Sequence, residues 1–129
     1  MTTQSESELR KDETHKLISS DKVEGTPVVN RQGEKLGTIE KVMIDKLSGK
    51  VAYAVMSFGG FLGIGDRHHA LPWSVLDYDT RLDGYVVDLS KDTLEKAPSF
   101  GTGETPNYDD ETWGRQIHDY YRARPYWIG

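Results

Sequence analysis

Residues 33–58, GEKLGTIEKVMIDKLSGKVAYAVMSF, decide the fold. The first half admits two readings. Leu36, Ile39 or Glu40, Met43 and Leu47 can be placed on one helical stripe, whereas Val42 and Ile44 alternate as in a strand. The strand is favoured, because Gly37 interrupts the run and β-branched Thr38, Ile39, Val42 and Ile44 crowd it. Ser48-Gly49 then supplies a tight turn into the second half. Ile39 falls out of register with Val42 and Ile44, which implies a bulge near Glu40 and Lys41. In the second half Val51, Tyr53 and Val55 occupy one face and Ala52, Ala54, Met56 and Phe58 the other. A strand that is apolar on both faces is expected at the centre of its sheet.

Working outward, Thr26 to Asn30 reads as a preceding strand, closed by the turn Asn30-Arg31-Gln32-Gly33. Arg67 to Trp73 is expected as a further strand, where Pro72, which lacks an amide proton, marks an edge or exit. Tyr85, Val87 and Leu89 alternate with Val86 and Asp88 after an Asp83-Gly84 turn, and Ser90 to Ala97 reads as one capped helical turn stopped by Pro98. About five to six short strands on tight turns predict a mainly β chain, a small closed or nearly closed barrel.

Outside this region the chain changes character. Residues 1–16 are almost all polar and cannot offset their ordering entropy by burial, so a disordered arm is expected. The compact part runs from 17 to 100, a polar linker from 101 to 107, and a last segment from 108 to 129. In that segment Trp113, Ile117, Tyr120 and Tyr121 stand at i, i+4, i+7 and i+8, a helical stripe. Asp109, Asp110 and Glu111 precede it and Arg122 and Arg124 follow, which suits the helix dipole at both ends. Burying three of its aromatics is worth on the order of 10 to 15 kcal/mol as an upper bound, so the helix is expected to dock, on its own sheet or on another chain.

The chain has 129 residues, 36% apolar, with 16 Lys and Arg against 21 Asp and Glu and a net charge of −5. That is the size of one domain, and the negative charge works against attraction to nucleic acid or an anionic lipid surface. No stretch has the apolar length of a membrane span and the first residues lack the apolar core of a secretory signal, so a cytoplasmic protein without membrane insertion is expected. The absence of cysteine excludes disulfides, thiol catalysis and cysteine-ligated metal sites.

Val28-Val29-Asn30, Gly33-Glu34-Lys35-Leu36-Gly37, the turn from Asp45 to Lys50, the Tyr53 strand and the exit Leu71-Pro72-Trp73-Ser74 together resemble a PRC-barrel domain, over roughly 17–100. Members of that family include the cytoplasmic domain of the photosynthetic reaction centre H subunit, the C-terminal domain of a ribosome-maturation factor, and free-standing bacterial proteins. Asp119-Tyr120-Tyr121 and Pro125-Tyr126-Trp127 are most similar to the free-standing group. The sequence shows neither the membrane helix of the H subunit nor the N-terminal domain of the ribosome factor. What the resemblance implies is a docking fold with no shared catalytic residues.

His68 and His69 are adjacent in a strand and point to opposite faces, so they cannot easily share a metal; Asp66 and His68 could, but two ligands are too few for zinc. Gly59 to Gly65 has the glycine count of a phosphate loop without its lysine, hydroxyl or following helix. Phe61, Leu62 and Ile64 within it are large apolar side chains on a loop, expected to cover the barrel end or dock on another chain. Asp77, Asp79, Asp83 and Asp88 are numerous enough to suggest acid–base work, but three of the four sit in or beside turns, where Asp is favoured for capping its own backbone. No catalytic residue, cofactor or metal site is assigned. The function expected is therefore noncatalytic protein docking, with a homodimer among the candidate partners, through Phe61, Leu62, Ile64, Trp113, Ile117, Tyr120, Tyr121, Tyr126 and Trp127. An RNA- or ribosome-associated factor and an H-subunit-like accessory of a membrane electron-transfer complex are the alternatives.

Overall fold

The computed structural model describes residues 17–58 and 67–128. The stretch that decides the fold is a hairpin, with β1 (Pro27–Asn30) leading into β2 (Lys35–Ile44) and β3 (Val51–Phe58). Asp45 builds the turn: its Oδ1 accepts from the amides of Leu47 at 2.9 Å and Ser48 at 3.4 Å, and Gly49 closes it at φ +76°. That left-handed conformation is open to glycine at no steric cost. The expected bulge is present. Ile39 pairs with Met56 and Lys41 with Val55, which leaves Glu40 as the extra residue. Gly37 has a second reason to be glycine, since a Cβ there would lie 2.1 Å from the carbonyl oxygen of Ser57.

The remaining elements are α1 (Ser20–Val23), β4 (Arg67–Pro72), β5 (Asp77–Asp79), β6 (Gly84–Val87), α2 (Lys91–Glu95), β7 (Phe100–Gly101) and α3 (Glu111–Tyr121), with 3-10 turns at Trp73–Val75 and Tyr126–Ile128. All strands join one seven-stranded sheet in the order β5-β6-β1-β2-β3-β4-β7. β1 and β6 run parallel and the other pairs antiparallel. This corrects the expectation of a closed or nearly closed barrel of about five to six strands. The chain is mainly β, but it has seven strands, and among the described residues no ladder joins β5 to β7. The reason is length. β7 meets β4 only at Arg67 and His68, and β5 has three residues, so neither terminal strand reaches far enough to close the ring.

Register fixes which side chains share a face. Ala54, Met56 and Phe58 of β3 stand with Leu71 and His69 of β4 on one side, whereas Tyr53, Val55 and Ser57 stand with Pro72, Ala70 and His68 on the other. The first side holds an aliphatic core that includes Val28, Leu36, Ile39, Val87 and Leu94. Leu94 comes from α2, capped by Ser90, whose hydroxyl accepts from the Thr93 amide at 3.0 Å. The second side is covered by α3. Both faces of β3 are thereby buried, as its sequence requires. Among the described residues no helix is long and apolar enough to cross a membrane.

Candidate functional site

Helix α3 starts at Asp110, whose side chain accepts from the Thr112 amide at 2.9 Å, and ends at Arg122 in the left-handed region, φ 55°. Its buried stripe is Gly114, Ile117, His118 and Tyr121. These positions repeat at i, i+3, i+4 and i+7. Ile117 is 1% exposed, Tyr121 is buried and Trp113 half-buried, so the aromatic stripe read from the sequence lies against the protein's own sheet. Tyr120 is more open but already engaged: its hydroxyl donates to the Thr93 carbonyl at 2.5 Å, tying α3 to α2. Trp127 folds back over α3. A Cβ on Gly114 would lie 2.9 Å from the Trp127 ring, and the Arg115 guanidinium lies 5.8 Å from the centre of that ring.

The centre of this layer is Tyr53. Its ring meets Trp113 at 5.4 Å, His118 at 5.4 Å, Tyr126 at 5.6 Å and Tyr108 at 6.2 Å between centroids. Tyr53, Tyr108, Gly114 and His118 were not among the residues expected to build a site. The signal for two of them was present, because Gly114 and His118 share the helical spacing of Ile117 and Tyr121. Tyr53 looked like any core strand residue, and Tyr108 sat beside a linker.

Sequence-expected Tyr126 sits at the edge of the layer, where a cleft of about 440 Å³ opens between the β2–β3 hairpin and the C-terminal segment. Tyr53, Tyr108 and Tyr126 line it together with Met43 and Ile44, and Asp45, Asp109 and Lys46 supply its charges. The Tyr126 phenol is held above its ordinary pKa range, first by burial and then by the carboxylates of Asp45 and Asp109. A smaller cleft of about 200 Å³ adjoins, lined by Trp73, His118, Arg124 and again Tyr126. Nδ1 of His118 donates to the Gly114 carbonyl at 2.7 Å, which leaves Nε2 without a protein partner.

The two strand histidines do point to opposite faces. His68 is held by its surroundings, with Nδ1 2.7 Å from Oε2 of Glu40, Nε2 3.1 Å from the Thr102 hydroxyl, and its ring stacked on Phe100. The bulge at Glu40 is what brings that carboxylate within reach. His69 is 1% exposed, and burial pushes its pKa down to about 4. Arg67 and His68 add to that push, and a hydrogen bond to the backbone of Pro98 opposes it. Among the described residues no three His, Asp or Glu side chains converge as a metal site. Phe61, Leu62, Ile64 and Asp66 lie outside the described residues.

A family model described as the PRC-barrel domain matches residues 15–94. No curated protein matches the chain. Among solved structures, a protein described as a 16S ribosomal RNA processing protein, RimM, from Pseudomonas aeruginosa is similar at 23% identity, over 57% of this chain and 44% of that one, with a TM-score of 0.38. The match thus spans less than half of that protein's length.

Proposed function

The chain belongs to the PRC-barrel domain family, and from that premise we propose that it is a noncatalytic protein-docking module. It docks through the end of the sheet where the β2–β3 hairpin meets the C-terminal turn. One observation carries this reading. Leu47 at the hairpin tip is 99% exposed, Ile44 51%, Ile128 45% and Tyr126 38%, and Ile44 and Tyr126 border the same cleft. Large apolar side chains left in water beside a concave aromatic surface fit a protein partner better than a solvated rim. The stripe Trp113, Ile117 and Tyr121 supports the surface from beneath, and the working contacts are the side chains it leaves outside.

The test uses the intact chain in its own cells, with a photo-crosslinking residue at Lys46 and Leu47→Asp introduced as the disrupting change. Leu47 touches solvent, so the variant is expected to keep the parent Tm and to lose crosslinked partner by about tenfold or more. Undiminished crosslinking at parent Tm contradicts docking at this end. A crosslinked product of twice the chain mass identifies the partner as a second copy.

A further inference from the structure

The cleft beside Tyr126 has a chemistry more specific than apolar contact. Its floor and walls are three phenol rings, with Tyr108 and Tyr126 each set against Tyr53 at centroid distances of 6.2 and 5.6 Å and at interplanar angles of 41° and 79°. Tyr53 is buried beneath the other two, whereas half-buried Tyr108 and the more open Tyr126 border the space with their aromatic rings. Two carboxylates and one ammonium border it. Asp45 spends Oδ1 on its own turn, and neither Asp109 nor Lys46 forms an ion pair among the described residues. Both carboxylates act on Tyr126. The local balance is anionic, and the whole chain carries −5.

Other features lack this combination. In the cleft beside β1 and β6, about 280 Å³, Arg31 is paired with Asp88 at 3.5 Å and Arg81 with Asp79 at 3.4 Å, so its cations are already neutralised. His68 has Glu40 and Thr102 beside its two ring nitrogens.

We propose that the cleft formed by Tyr53, Tyr108 and Tyr126 with Asp45 and Asp109 receives a basic side chain, arginine or lysine, of the docking partner. The cation sits against the rings of Tyr108 and Tyr126, where its attraction to them adds to that of the two carboxylates, and the apolar stem of the side chain covers Ile44 and Met43. Its size, about 440 Å³, falls in the range of ligand clefts. This inference rests on the docking reading and names the chemistry that the same surface recognises.

The experiment titrates the isotope-labelled full chain with N-acetyl-arginine amide and, separately, with N-acetyl-citrulline amide, which has nearly the same shape without the charge. Saturable shifts are expected at Ile44, Tyr108, Asp109 and Tyr126, with affinity for the citrulline compound lower by about fivefold or more. Asp45→Asn combined with Asp109→Asn keeps an acceptor for the turn and is expected to weaken arginine binding by a similar factor at unchanged Tm. Equal response to the two compounds, no saturable response, or full binding by the double variant each overturns the proposal. The two readings fail separately. Absent cation binding with crosslinking still sensitive to Leu47→Asp removes only the basic-side-chain assignment, and cation binding with insensitive crosslinking removes the docking reading on which that assignment rests.

Discussion

The two faces of the sheet are built from different materials. On one side mostly aliphatic residues, Val28, Ile39, Leu71, Val87 and Leu94 among them, pack around His69, whose Nδ1 is the one ring atom of that side left buried without a protein partner among the described residues. On the other, α3 and the C-terminal turn lay tyrosine, histidine and tryptophan over Tyr53, and the hydroxyls of Tyr53, Tyr108 and Tyr121, Nε2 of His118 and Nε1 of Trp127 are buried without a protein partner. An aromatic layer buries much area per residue but must place its polar tips, and each buried tip left unpaired costs roughly 1 to 3 kcal/mol. The aliphatic face is therefore expected to carry the stability and the aromatic face the recognition.

The largest effect should come from the aliphatic side. Leu71→Ala, at a fully buried position, is expected to cost about 3 kcal/mol or more by denaturant unfolding. A loss below about 1 kcal/mol would erase the contrast. His69, buried on that side, should make stability depend on pH across the acid range. Its folded pKa, about 4, lies below the ordinary imidazole value of 6.5. The unfolded chain therefore binds a proton first as pH falls. Stability should be full above about 6.5 and decline by roughly 3 kcal/mol down to about 4. NMR titration of the His69 ring checks this, and a midpoint above about 6 would contradict it. The smallest effect sharpens the other half of the comparison. Tyr53→Phe removes a hydroxyl that has no partner while keeping the ring at the centre of the aromatic layer, so stability should stay level or rise by up to about 1 kcal/mol. A clear loss would mean that the hydroxyl is bonded in solution.

How much of this was legible in the sequence follows from the range of the interactions involved. The β2–β3 hairpin, the bulge at Glu40 and the capped helices were readable because turn chemistry, alternation and capping act over a few residues. β5 was not, since Asp77-Tyr78-Asp79 has one strand-forming residue between two that disfavour strands. β7 was hidden in a stretch holding Pro98 and Gly101, and the parallel pairing of β1 with β6 joins residues more than fifty positions apart. The stripe on α3 was visible, but which surface it meets is set by tertiary packing. Gly114 shows why: its lack of a side chain, unfavourable for a helix by itself, makes sense only once Trp127 lies against it.

Native-state hydrogen exchange across α3 tests the account most directly, because the docking surface exists only if the aromatic layer is a fixed part of the domain. The amides of Ile117, His118 and Tyr121 should open with the same free energy as those of Val55 and Met56 in β3, as one cooperative unit. Exchange at α3 in a separate, much cheaper opening, with β3 still protected, would show a helix that leaves the sheet, and the cleft beside Tyr126 would not be a standing feature of the protein.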